Sequence, residues 1–124
     1  MKSYTDLEQS RKLAEILPLE SADMVYVHTT DLEGDEHYDI DFRNNQPLFE
    51  DDIPAWNIAA LLGVIPKHIK DYNVLRIDIS ENEFAVWYDE IGCGVNNELP
   101  DITKKTAIDA CYEMILKLNE LKML

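Results

Sequence analysis

Basic residues are scarce in this chain: 11 Lys and Arg stand against 25 Asp and Glu among 124 residues, a formal net charge of −14. That shortage argues against direct contact with a phosphate backbone, which takes clustered Lys and Arg. It argues against anionic membrane surfaces for the same reason. Two readings of the acidity remain open: a surface charged for solubility, or one that attracts and steers a basic protein partner. Cysteine is scarce too. Cys93 and Cys111 are too few for a disulfide scaffold, and Cys111, inside an amphipathic pattern, reads as a small core residue. Glycine occurs four times and never as a phosphate-cradling loop. CxxC, HExxH and GxSxG patterns are missing as well, so no cofactor is expected and no recognised reaction chemistry emerges. There is no long apolar run. Ile58 to Ile65, the longest, is far short of a membrane span. Met1 to Asp6 lack the basic-then-apolar order of a secretory signal. A reduced, cytoplasmic protein is the expectation.

What is present is an ordinary hydrophobic content of 46%, enough for residues 1–124 to fold as a single domain with its own core. Thr5 and Glu8 have the S/T-x-x-E spacing of a capping box. Leu7, Leu13, Ala14, Ile16 and Leu17 continue it as a helix that Pro18 stops. Met24 to Thr30 and Glu36 to Arg43 alternate with period two and read as a hairpin, turned by Asp31 to Asp35 with Gly34 free to take positive φ. Asp52 is placed to cap a second helix with Pro54 in its first turn and Trp56, Ala59, Ala60, Leu61, Leu62 and Val64 buried nearly all round. Pro66 to Lys70 extends it by a turn. Val74 to Ser80 and Glu83 to Asp89 read as a second hairpin, Ile91 to Asp101 as a loop, and Thr103 to Lys122 as a last helix with Ile108, Cys111, Ile115, Leu118 and Leu121 along one stripe. The order αββαββα predicts an α+β fold: one four-stranded antiparallel sheet with helices over one face and the other face open. Leu13–Pro18 aligns with Leu61–Pro66 at an offset of 48 residues, which fits either a duplicated αββ unit or two hairpins built on the same grammar.

Pro54-Ala55-Trp56 followed by Ala59-Ala60-Leu61-Leu62 and Ile65-Pro66, the run Asp109-Ala110-Cys111-Tyr112-Glu113-Met114-Ile115, and the Leu7-Glu8-Gln9-Ser10 and Leu13–Pro18 segments together resemble a family of small uncharacterised proteins from gut anaerobic bacteria and their phages or mobile elements. The resemblance covers most of the chain. It implies a cellular, phage-linked setting and transfers no catalytic residue. Asp31–Asp52 and Gly92-Cys93-Gly94 are its least family-like parts.

Three constellations are candidates for function. His37, Asp39 and Asp41 occupy i, i+2 and i+4 of a strand and so share a face, opposite Tyr38, Ile40 and Phe42. An imidazole beside two carboxylates is a ligand set for a divalent metal and the basis of a metal-dependent enzyme. The same row, with neighbouring strands, also reads as the charged face of an antiparallel sheet. Adding Tyr26, His28, Arg76, Asp78 and Trp87 makes that open face a partner-binding surface, since exposed Trp, Tyr and Arg are the composition of interaction hot spots. Cys93 between two glycines reads as a tight turn or as an exposed nucleophile, though no histidine stands in a motif relation to it. The leading expectation is a small accessory or regulatory protein that binds another macromolecule, a basic one by charge, with nucleic-acid mimicry as a special form. The metal-dependent enzyme is the second reading. A self-assembling module, pairing through Trp87 and an edge strand into a homo-oligomer, is the third.

Overall fold

The computed structural model describes residues 2–91, 94–95 and 98–124, with the backbone alone for Gly94 and Val95. The fold is α+β; the described residues form three α-helices, a short 3-10 helix at Leu19–Ser21 and two antiparallel sheets. Backbone contacts divide it into two compact units, Ser3–Ala60 and Leu61–Leu124 with Lys2.

In the first unit α1 spans Leu7–Ala14. Its cap lies one residue beyond the expected Thr5: the Asp6 carboxylate accepts from Gln9 N at 2.8 Å, and the Gln9 side chain accepts from Asp6 N. Thr5 is taken by the core instead. Its Oγ1 accepts from Trp56 N at 3.1 Å and shares a hydrogen bond with Ser10 Oγ at 2.8 Å, all of it buried. β1 (Met24–Thr30) and β2 (Glu36–Phe42) form the expected hairpin, in register from Met24↔Phe42 to Thr30↔Glu36. The Asp31 carboxylate accepts from Glu33 N and Asp35 N and folds the turn, and Gly34 takes φ +86.

β3 (Ile53–Ala55) lies on the other side of β1 and gives the order β2-β1-β3. A helix start was expected here. Pro54 is tolerated in this edge strand because it faces Val25 at a position whose N–H points away from β1, so no ladder bond is lost. Asp52, the expected cap, accepts from Phe49 N in the preceding turn. The cap of α2 (Ile58–Val64) is Asn57, whose Oδ1 accepts from Ala60 N at 2.9 Å.

In the second unit β4 (His68–Ile69) replaces the expected helical turn. It joins β5 (Asn73–Ile79) through Lys70 and Asp71, both at positive φ. β5 pairs with β6 (Phe84–Glu90) along its whole length. β7 (Gly94–Val95) and β8 (Asp101–Lys104) both pair with β6. β8 occupies residues expected to be loop and helix, and so α3 (Ala107–Glu120) begins later, with Thr106 accepting from Asp109 N as its cap. α3 packs against β6 and β8 and buries Ile108, Cys111, Met114, Ile115 and Leu118; Leu121 lies beyond it, exposed.

The single four-stranded sheet is therefore replaced by two sheets. The short strands β3, β4, β7 and β8 supply the edge partners that each hairpin was expected to find in the other. None of these strands exceeds four residues, too few for a period of two to stand out from chance. Among the described residues no helix is long and apolar enough to cross a membrane.

Candidate partner-binding edge

The two sides of the β1–β2 hairpin differ sharply. On one side Met24, Tyr26 and Ala55 are buried, with Tyr4, Leu7, Tyr38, Ile40 and Ile53 packed against them. α1 covers this side. Tyr26 donates its hydroxyl proton to Thr5 O at 2.8 Å, Tyr4 meets Tyr26 edge-on, and the Arg11 guanidinium lies over the Tyr38 ring. The cross-strand register puts His37, Asp39 and Asp41 on the other side, opposite Thr29, Val27 and Val25. All three are exposed, and His37 Nε2 is 3.3 Å from Asp39 Oδ2.

The structure does not bring the expected eight-residue face together. Tyr26 and His28 belong to the α1-covered side of the first sheet, Tyr26 buried and His28 tilted against Tyr38 at 5.3 Å between centroids. The parity of their positions, even where His37, Asp39 and Asp41 pair with odd residues, puts them there. Arg76, Asp78 and Trp87 lie in the other sheet, in the other unit. There Arg76 faces Trp87 across the strands and Arg76 Nε lies 3.4 Å from Asp89 Oδ2, while Trp87 is half-buried rather than open. The metal reading of His37, Asp39 and Asp41 is not supported either. Among the described residues no three His, Cys, Asp or Glu side chains converge as a metal ion requires. Asp41 turns back to accept from Phe42 N at 2.8 Å. Cys93 lies outside the described residues. Cys111 is fully buried, and burial pushes its thiol up to about 11, partly opposed by the positive charge of Lys67.

The backbone adds what side-chain patterning omitted. Arg43 N donates to Asp23 O and Asp31 N to Asp35 O, so the odd-numbered residues of the hairpin exchange the β1–β2 hydrogen bonds. The even-numbered residues of β2 then turn their N–H and C=O groups outward, to the side where, among the described residues, no strand pairs with β2. Asp41 occupies the N–H of Phe42; those of Tyr38 and Ile40 face the open edge. At the Phe42 end a mainly apolar hollow of about 370 Å³ is lined by Tyr4, Met24, Ile40 and Phe42, with Ser3, Asp41 and Asn57 as its polar members.

Charge is segregated as well. The unit Ser3–Ala60 holds 14 acidic residues against three basic ones, a net of −11 out of the chain's −14. From Leu13 to Pro66 the one basic residue is Arg43. Its guanidinium is held by the carbonyls of Leu19, Ala22 and Gln46. The segment 31–41 carries six carboxylates and no Lys or Arg. This run was visible in the sequence; the total charge alone concealed it. No known protein family, curated protein or solved structure matches the chain.

Proposed function

We propose that this protein acts by binding a basic macromolecular partner through the acidic β1–β2 hairpin, as a small accessory or regulatory protein. The observation that carries the reading is the concentration of charge. Of the net charge of −14, −11 falls in one unit of 58 residues, and six carboxylates crowd a single exposed hairpin. Charge placed only for solubility has no reason to collect there, whereas a one-sign patch raises the encounter rate with an oppositely charged partner. The resemblance noted above supports a setting in phages or mobile elements, and the helix-then-hairpin order of both halves supports a duplicated αββ unit.

Titration with poly-L-lysine tests the reading. Saturable binding at low salt, weakening steeply as salt rises, is expected. Replacing Asp31, Glu33, Asp35 and Glu36 by their amides should weaken it further. Absence of binding at low salt removes the reading.

One observation favours a second reading, self-association. Ile77 and Ile79 are exposed on the part of β5 that β4 does not reach, and an apolar edge strand is a template for another copy.

A further inference from the structure

The edge of β2 combines three properties. It has outward-facing N–H and C=O groups at Tyr38 and Ile40, to which no strand is paired among the described residues. It has a row of exposed polar side chains, His37, Asp39 and Asp41, on one side. On the other side it has an apolar hollow bordered by Ile40 and Phe42, with the Phe42 ring 62% exposed. From this geometry we infer that the occupant of the edge is an extended segment of the basic partner, added to the sheet as a strand beside β2, with Lys or Arg alternating with apolar residues.

The chemistry follows from the pleat. A strand laid against β2 exchanges backbone hydrogen bonds with Tyr38 and Ile40 and sends its side chains alternately to the two sides. Those on the α1 side meet Ile40, Phe42 and the hollow, where an apolar side chain sheds water. Those on the other side stand opposite Asp39 and Asp41. For an antiparallel strand these are the non-hydrogen-bonded positions, where facing side chains come closest, about 4.5 Å between Cα atoms. A cation there is favoured and a carboxylate is repelled. A second β2 strand is therefore a poor occupant: matching Tyr38 with Ile40, or Ile40 with Ile40, sets Asp39 against Asp39 or Asp41, and matching Tyr38 with Tyr38 sets Asp41 against Asp35. Charges on an edge also guard it against such pairing, but guarding alone calls for no apolar hollow beside it.

The inference rests on the basic-partner reading, and the test separates the two. The probe is an acetylated, amidated heptapeptide alternating Lys and Val, measured by calorimetry and by amide hydrogen exchange of the full chain. One control carries N-methyl groups on the backbone amides of one strand edge, and a second has its Lys and Val residues in blocks. Charge is equal in all three. The alternating peptide should bind at least about tenfold more tightly than the N-methylated control, the effect of one or two backbone hydrogen bonds, and more tightly than the block control, which keeps those bonds but turns Lys toward the apolar side. It alone should slow exchange at Tyr38 and Ile40, and Asp39→Lys should weaken it. Equal binding of all three without protection of those amides overturns strand addition and leaves the basic-partner reading standing. The same holds if poly-L-lysine binds and none of the peptides does. If poly-L-lysine also fails at low salt, both fall.

Discussion

The Tyr26 hydroxyl and the Thr5 carbonyl, 21 residues apart in the chain, meet at 2.8 Å in the interior of the first unit. The bond ties the start of α1 to the central strand of its sheet. It keeps α1 over Tyr38 and Ile40, and so fixes which side of β2 is left open. Tyr26→Phe leaves the ring packing intact and removes only the donor. A loss of about 1 kcal/mol is expected, read as a lower urea midpoint. Faster amide exchange should appear in α1 before β6. An unchanged midpoint and an unchanged exchange pattern would show that packing alone holds α1 in place.

Asp6 takes the capping task that the sequence pattern assigned to Thr5, and Thr5 serves the core instead. Asp6→Ala removes a helix cap and should cost about 1 kcal/mol. Thr5→Val leaves the buried Trp56 N–H without its acceptor and should cost more, about 1–3 kcal/mol. Glu8→Ala should cost little, since Glu8 closes no capping box. Urea titration of the three variants checks the order; equal losses at Thr5 and Glu8 would restore the box first expected there.

That one-residue shift shows where sequence reasoning holds and where it stops. The two long hairpins and the helices are legible because seven or more residues share a period. The parity that sets His37, Asp39 and Asp41 apart from Tyr38 and Ile40 is likewise a local property of the strand. Pro54 was misplaced because proline is tolerated both at a helix start and on an edge strand, and only its pairing with Val25 decides between them. Asp101–Lys104 was misplaced because four residues beside Thr106 look like a helix entry until Val86 is opposite Ile102. The recognition surface was overextended for a related reason: Arg76 and Trp87 share a face with each other, but no local pattern states which sheet a hairpin joins. The free backbone groups of β2 follow from pairing alone and have no signature in residue types.

The charge segregation has a consequence for stability. Fourteen carboxylates against three cations in Ser3–Ala60 repel one another when unscreened. Raising salt from about 0.01 M to about 0.15 M shortens the screening length from about 30 Å to about 8 Å, so the melting temperature should rise. Exchange of α1 and β1 amides should slow more than that of β6 and α3. A melting temperature unmoved by salt would show that the carboxylates are too far apart to strain the fold.

Cys111 yields a prediction about pH. Its folded thiol is raised, by burial first, from 9.0 to about 11. A raised acid contributes full stability below the unfolded value and loses it as pH climbs toward the folded one, because the unfolded thiol ionises first. Stability should therefore fall between pH 9 and 11, and Cys111→Ala should flatten that part of the profile. In a Cys93→Ser background the native protein should resist thiol-specific reagents at pH 8 and react once denatured. Rapid labelling of the native chain would show that the site opens to solvent.

The β2 edge and the open stretch of β5 make opposite predictions for self-association. On β2, an antiparallel pairing of copies that matches Tyr38 with Ile40, or Ile40 with Ile40, sets Asp39 against Asp39 or Asp41. On β5 the exposed stretch offers Ile77 and Ile79, with Arg76 and Asp78 of opposite sign between and beside them, so a copy meets apolar surface and no uniform repulsion. Any concentration-dependent association should then run through β5. Sedimentation at several concentrations should show Ile79→Lys shifting the chain toward monomer and Asp39→Lys leaving it unchanged at moderate salt. If the wild-type chain stays monomeric throughout, the self-association reading ends there and the β2 edge keeps its role. If Asp39→Lys instead abolishes a wild-type dimer, copies pair through β2 despite its carboxylates, and the selectivity argued for a basic strand loses its physical ground.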